Sequence, residues 1–348
     1  MSRLKTFAGS VIQAALAPHA VDRYLELVDP MVTWTEIRGR VTSVVRRTDR
    51  TVTFVVDPTR QFDGFKAGQF IQLSVVIDGV RQSRCFSPAT SEHDRRLEFT
   101  VTAHDDGFVS AYLRDNLKAG DVVGLTQAAG TFALPARRPR DIRLISGGSG
   151  ITPVLSMLRT LVDEGHRGTV ELLHFCRDEA DNPYRAELSL MAEQRGVNVR
   201  YVYTRAGGGY FTADHLPELG DAAFACGPAP LLAAVSQHYA DRGAADLLAI
   251  EEFTPPATVA ADADATGTLT FTESSATAEN DGRSILDQAE SAGLFPESGC
   301  RMGICFSCTA VRKAGCTKNL LTGETDSEPD QHIQLCVSAP VGDVAVEI

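Results

Sequence analysis

The 348-residue chain carries 33 Lys and Arg against 45 Asp and Glu, a formal charge of −12, and 43% of its residues are hydrophobic. That length accommodates two or three packed domains, and the composition excludes large-scale disorder. An acidic chain without clustered Lys and Arg is no nucleic-acid binder, and the lack of an apolar run near ~18 residues predicts that it is not integral to a membrane.

In chain order, Met1–Lys5 is basic and precedes the apolar stretch Thr6–Ala17, so the start has the outline of a secretory leader. Ser10 and Gln13 interrupt that stretch, while Phe7, Val11, Ala14 and Ala15 recur at helical spacing. Residues 1–35 are therefore expected to form a helical N-terminal extension that docks peripherally, at a partner or at the inner membrane surface. Residues 36–138 hold short β-branched runs at Val41–Val45, Thr51–Val56, Phe70–Val76, Leu97–Val101 and Asp121–Leu125, separated by turn residues. This predicts a small antiparallel β-barrel interrupted by one helix at Ser110–Leu117. Across residues 139–253 the rhythm changes to strand then helix, which predicts a doubly wound parallel α/β domain. The small, polar, Pro-bearing segment 254–266 reads as a linker. Residues 267–348 read as a mixed α+β domain of the β-grasp kind, with 12 acidic residues against 5 basic, a net of −7.

That last domain holds the most specific motif. Cys300, Cys305, Cys308 and Cys336 follow the C-x4-C-x2-C…C spacing of a plant-type 2Fe-2S cluster. One tight loop reaches three of the four outer positions of two bridged irons, and a distant strand supplies the fourth. Gly299 and Gly303 permit turns that aim N–H groups at the sulfurs. A structural zinc site or a disulfide is the competing reading, and the paired C-x2-C knuckles of common zinc sites are missing. Ligands that must stay thiolate predict a cytoplasmic address.

Two motifs in the barrel suit a flavin. Arg84-Cys85-Phe86-Ser87, expected just after a strand, offers a guanidinium for phosphate, a ring to stack and a hydroxyl near the reactive N5. Gly107-Phe-Val109-Ser110 opens the barrel's helix, where exposed N–H groups suit a pyrophosphate and Ser110 is otherwise a plain N-cap. In the α/β domain, Gly147-Gly148-Ser149-Gly150-Ile-Thr152-Pro153 makes a strand-to-helix turn of the kind that approaches a dinucleotide. Cys226-Gly227-Pro228 closes another strand at the same carboxyl edge, and Cys226 is either a small core residue or a neighbour of a nicotinamide ring.

Taken together and in this order, these motifs resemble the ferredoxin–NADP reductase superfamily fused to a C-terminal plant-type ferredoxin domain, as in the reductase components of oxygenases. The resemblance covers residues 36–348. It implies FAD rather than FMN, held by Arg84, Cys85, Phe86, Ser87, Gly107, Val109 and Ser110. It implies a nicotinamide nucleotide on Gly147, Gly148, Ser149, Gly150, Thr152, Cys226, Gly227 and Pro228, with Ser87 and Cys226 at the catalytic centre and Phe253 near the flavin. Relatives more often carry Tyr where Phe86 stands. Thr204-Arg205 with Tyr210 is similar to the pattern that holds the 2′-phosphate of NADPH, and Arg177 adds to it. The neighbouring Asp178 and Glu179 give a mixed signal, and NADPH is expected over NADH.

The implied activity is electron transfer from NADPH through the flavin and the cluster to an oxygenase. The N-terminal extension, with Trp34 and the run Tyr24–Pro30, resembles that of actinobacterial acyl-lipid desaturase systems, which implies a membrane di-iron fatty-acyl desaturase as acceptor, with a ring-hydroxylating or other multicomponent oxygenase as the alternative. The acidic C-terminal domain predicts a basic docking face on the acceptor. A reading of another class, a non-catalytic redox sensor or zinc-stabilised binding module, is separable by visible absorption.

Overall fold

The computed structural model describes residues 29–103, 107–253, 265–299, 301–303 and 306–348. The expected helix within 1–28, most of the linker at 254–264, and Cys300 and Cys305 lie outside the described residues. The chain divides into two compact units, residues up to 77 with 86–252, and 78–85 with 253–348.

The first sheet contains β1 (Ile37–Arg46), β2 (Thr51–Pro58), β3 (Ile71–Ile77), β4 (Val80–Phe86), β5 (Leu97–Thr102) and β6 (Val122–Leu125), with α1 (Phe108–Asn116) between β5 and β6. Its order is β4-β3-β6-β1-β2-β5, so β4 and β5 are the edges. Period-2 alternation places Ile71, Leu73, Val75 and Ile77 of β3 inside, where they meet Phe54, Leu97 and Phe99. The edge strand β4 escapes the sequence pattern because Val-Arg-Gln-Ser-Arg-Cys-Phe has no apolar alternation. Its register comes from the turn Asp78-Gly79, both at positive φ (51° and 82°), the conformation a two-residue hairpin demands. Arg84, Cys85 and Phe86 thus lie within a strand and not after one.

In the same unit a five-stranded parallel sheet runs β11-β10-β7-β8-β9. Its elements are β7 (Asp141–Gly147), α2 (Ile151–Asp163), β8 (Thr169–Cys176), α3 (Arg185–Arg195), β9 (Asn198–Tyr203), β10 (Ala222–Cys226), α4 (Ala229–Ala240) and β11 (Leu248–Glu251). Strands β7 and β8 are buried along almost their whole length, as inner strands of a parallel sheet are. Ile145, Leu173, Ala225 and Val202 pack under Val235 and Tyr239 of α4.

The C-terminal unit has a mixed sheet of β12 (Thr268–Phe271), β13 (Ala276–Glu279), β14 (Thr309–Asn319), β15 (Thr325–Asp326), β16 (Gln331–Gln334) and β17 (Ser338–Val346). Its order is β13-β12-β17-β14-β15, with β16 also on β14 and a parallel β12–β17 pair at its centre. Helix α5 (Ile285–Ser291) covers it, capped by Ser284, whose hydroxyl accepts the Asp287 N–H at 3.1 Å. The sequence pattern conceals β14, since irregularities at Arg312/Ala314 and Gly315/Cys316 break its alternation.

Candidate functional site

On β4, Arg84 is half-buried and Phe86 packs against the core of the antiparallel sheet. Burial, and next the Arg301 guanidinium, lower the pKa of Arg84 to about 10. A cation destabilised in this way is suited to an anionic partner. Ser87 is 3% exposed and its hydroxyl has no hydrogen-bond partner, an exception to the usual satisfaction of buried polar atoms. An orphaned hydroxyl one residue beyond an aromatic ring fits a flavin that supplies the missing bond.

Helix α1 starts at Phe108 with Gly107 as its N-cap residue, not at Ser110, and no side chain caps it. Ser110 sits in the first turn and donates back to the Gly107 carbonyl at 3.1 Å, while Val109 and Leu113 anchor the helix in the core. The alternative reading of Ser110 as a plain N-cap is thereby set aside, because the N-cap position is Gly107, three residues earlier. The first N–H groups of α1 lack side-chain partners from a cap, the arrangement that takes a pyrophosphate.

Gly147 ends β7, Gly148 has φ +55°, and Gly150 precedes α2. A Cβ on Gly147 would lie 2.8 Å from Pro228 Cδ, one on Gly150 would lie 2.2 Å from the Cys226 carbonyl oxygen, and one on Gly227 would lie 3.0 Å from the Gly147 nitrogen. The glycine loop and Cys226-Gly227-Pro228 therefore interlock backbone to backbone at the carboxyl edge of the sheet, where open α/β sheets bind ligands. Thr152 donates to the Ser149 carbonyl at 3.3 Å and tightens the turn. This backbone-only cradle fits a dinucleotide pyrophosphate. Cys226 is fully buried, and burial first and Glu251 second raise its thiol well above its ordinary range.

Glu251 is a residue that motif reasoning missed. The β10–β11 register sets it opposite Cys226, one of its carboxyl oxygens has no partner, and burial raises its pKa to about 8. Burial thus favours its neutral form, beside the candidate catalytic thiol. The only sequence signal was an acidic residue closing a short strand. Phe253 follows two residues later and is half-buried.

The loops after β8 and β9 are adjacent, with the Arg205 N–H on the Arg177 carbonyl at 2.9 Å and the Thr204 hydroxyl on that of Cys176 at 3.4 Å. Arg205 faces Asp178 at 3.8 Å and Arg177 faces Asp181 at 3.8 Å, so each candidate phosphate ligand has a carboxylate nearby. Tyr210 is 83% exposed.

In the C-terminal unit, Cys308 and Cys336 are buried in the sheet core and brought together by β16, where the Leu335 N–H donates to the Cys308 carbonyl at 3.0 Å. Around them Arg301, Gly303 and Phe306 all take positive φ (57°, 75° and 58°). Two non-glycine residues in that region mark a loop held in a strained form, and such turns aim successive N–H groups inward. The Gln334 side chain ties the loop by donating to the Gly303 carbonyl at 2.7 Å. The two described thiols, Cys308 and Cys336, are buried beside this loop, which fits part of the donor set of an iron–sulfur centre.

A curled antiparallel sheet, a parallel nucleotide-type sheet and a ferredoxin-type domain define a redox protein that couples a flavin and a nicotinamide nucleotide to a 2Fe-2S centre. Family models agree: an oxidoreductase FAD-binding domain matches residues 40–134, an oxidoreductase NAD-binding domain 144–237, and a 2Fe-2S iron-sulfur cluster binding domain 270–341. The chain is 36% identical over 342 residues to an NADPH oxidoreductase of Mycobacterium tuberculosis, covering 95% of this chain and 89% of that protein. It is 29% identical to the glycine betaine monooxygenase reductase subunit of Chromohalobacter salexigens, covering 90% and 96%. Phthalate dioxygenase reductase shares the fold, with a TM-score of 0.66 at 23% identity over 89% of this chain and 97% of that one. The chain belongs to the ferredoxin–NADP reductase superfamily, as an NAD(P)H-dependent flavin and iron–sulfur oxidoreductase with a C-terminal ferredoxin domain. Among the described residues no helix is long and apolar enough to cross a membrane.

Proposed function

We propose that the chain takes electrons from NADPH and supplies them, through FAD and the cluster, to a membrane di-iron fatty-acyl desaturase that presents a basic docking face. When bound, the flavin accepts hydride and the cluster passes on single electrons. In this reading Arg84 and the start of α1 neutralise the flavin pyrophosphate, Phe86 stacks on the ring, Cys85, Gly107 and Val109 shape the wall, and Ser87 bonds the ring edge. Gly147, Gly148, Ser149, Gly150 and Thr152 hold the nucleotide pyrophosphate, and Cys226, Gly227 and Pro228 bound its nicotinamide, with Phe253 beside the flavin. Arg205, Arg177, Thr204 and Tyr210 receive the 2′-phosphate, which displaces Asp178 from Arg205. Cys300, Cys305, Cys308 and Cys336 ligate the irons, in the domain at 267–348. The domains at 36–138 and 139–253 carry flavin and nucleotide, joined by the linker at 254–266, and the extension at 1–35 docks on the membrane partner from the cytoplasmic side.

The observation that carries the docking claim is a run of twelve exposed residues, Leu321–His332, bearing Glu324, Asp326, Glu328 and Asp330. Leu321 reaches the cysteine loop, with its Cδ1 3.2 Å from where a Cβ on Gly303 would stand, and Phe306 of that loop is 67% exposed. An apolar centre with an acidic rim suits a basic partner surface. The name of the Chromohalobacter relative favours a second acceptor, a multicomponent oxygenase.

Stopped-flow reduction by each nucleotide tests the donor, and Arg205→Ala should weaken NADPH far more than NADH. Reduction of a purified desaturase and of an oxygenase component, across a salt series, tests the acceptor. Coupling to the desaturase should slow as salt rises and with Glu324→Lys/Glu328→Lys; a rate indifferent to both would remove the docking claim.

A further inference from the structure

The parallel-sheet lobe is fastened to the antiparallel lobe along one face of α2, and a single arginine lies at the centre of the seam. Arg159 donates to both carboxylate oxygens of Glu187 at 2.7 Å, to Glu98 of β5 at 2.9 Å and to the Ala89 carbonyl at 2.8 Å. Its guanidinium carbon stands 5.5 Å from the centre of the Tyr184 ring. Tyr184 is 2% exposed, donates to Glu98 at 3.1 Å and bonds to Thr100, which in turn bonds to Thr53 of β2 at 2.7 Å. Burial acts to lower the pKa of Arg159, and the Glu187 hydrogen bond with the charges of Glu98 and Glu187 outweighs it, so the group stays charged.

The same helix face repeats the attachment. Ser156 donates to the Thr90 carbonyl at 2.6 Å, and the Thr160 hydroxyl accepts the Glu92 N–H at 3.0 Å. Beyond the helix, Glu164 and Glu92 each hold Arg138 at 2.7 Å. Positions 156, 159, 160 and 164 follow the i, i+3, i+4, i+8 rule of one helical stripe. At its other end α2 begins at Gly150, jammed against the Cys226 carbonyl. A rod of 13 residues, about 20 Å long by its rise per residue, is therefore held at both ends. On the antiparallel side, Ala89 lies two residues from the buried Ser87.

We propose that Arg159 is a positioning residue for hydride transfer, setting the separation between the nucleotide loop at the start of α2 and the flavin wall at Ser87. This rests on the assignment of those two elements to nucleotide and flavin. Arginine suits the task because its planar fork meets four acceptors in one geometry, which a lysine ammonium does not reproduce.

The test uses the flavin-loaded, full-length protein under anaerobic stopped flow. In Arg159→Ala, flavin reduction by NADPH should slow roughly 10- to 100-fold, the scale of a misplacement near 1 Å, while the nucleotide dissociation constant moves by less than about threefold. The NADP+–flavin charge-transfer absorbance should weaken, and amide exchange across residues 88–98 and 151–163 of the flavin-free protein should speed up. Arg159→Lys should recover only part of the rate. Should Arg159→Ala fail to fold, Tyr184→Phe keeps the ring and removes two hydroxyl bonds, and it should show a milder loss of the same kind. Wild-type reduction rates with faster exchange would overturn the positioning role and leave the site assignment standing, as would a rate loss matched by lost nucleotide affinity. An unaltered protein that NADPH cannot reduce would overturn both.

Discussion

Gly150→Ala puts a methyl carbon 2.2 Å from the Cys226 carbonyl oxygen, 2.5 Å from its carbon and 2.9 Å from the Gly227 nitrogen. All three atoms are backbone of β10 and the loop after it, so no side chain can rotate out of the way. Gly150 itself has φ −63° and ψ −3°, a helical conformation that alanine prefers, and intrinsic propensity alone predicts a gain of about 1 kcal/mol. Contact demands the opposite. To restore ordinary van der Waals separation the start of α2 must recede by about 1 Å, and overpacking of that order costs about 1–3 kcal/mol. If the glycine loop and the Ser87 segment hold nucleotide and flavin as proposed, the same retreat should lower the hydride-transfer rate by about 100-fold. Thermal unfolding followed by circular dichroism reads the first effect, and single-turnover flavin reduction the second. Gly148→Ala is the control: it has φ +55° and nothing within 4 Å, so it should lose only about 1 kcal/mol from the left-handed backbone. If Gly150→Ala proves as stable and as fast as the parent, the interlock is not what holds the nucleotide loop.

Glu251 has a folded pKa of about 8 against 4.5 for the free side chain, owing to burial. Below the unfolded value both states are protonated; as pH rises towards 8 only the unfolded state ionises, so native stability falls over that window and levels off above it. Glu251→Gln should abolish the decline, and urea unfolding at pH 5 and pH 8.5 will show it; parallel curves for both proteins would contradict the buried acid. Ser87→Ala removes an unpartnered hydroxyl, so the flavin-free protein should keep its stability or gain up to about 1 kcal/mol, while flavin reduction slows; a stability loss instead would show that the hydroxyl has a protein partner. Arg312 is 0% exposed and donates to the Thr317 hydroxyl, the Asp326 and Glu328 carbonyls and the Asp326 carboxylate. Arg312→Met should cost about 1–3 kcal/mol through carbonyls left unbonded and loosen residues 321–332 to proteolysis, and unchanged cleavage there would refute the tether.

The strongest elements could be read from the residues because their chemistry is local. The Cys300–Cys308 spacing, the Gly147–Gly150 turn and the strands β7 and β8 each lie within a dozen residues, where backbone geometry alone relates pattern to shape. Strand β4 could not be seen, since an edge strand half-open to solvent needs no alternation and takes its register from a turn. The bulged β14 failed for a related reason: its partners on β17 are 19 to 34 residues away in the chain, and the irregularities follow from them. The start of α1 was misplaced because a glycine N-cap gives no side-chain signal.

By itself the sequence determined the three-part plan and the family, and it nominated four cysteines as cluster ligands, because those signals rest mainly on residue types at short spacing. Only the tertiary structure decided that Glu251 stands beside Cys226 and that Ser87 is buried without a partner. It alone showed Arg159 joining segments centred on residues 89, 98 and 187. Burial and long-range pairing set those properties, and neither is a function of neighbouring residues in the chain.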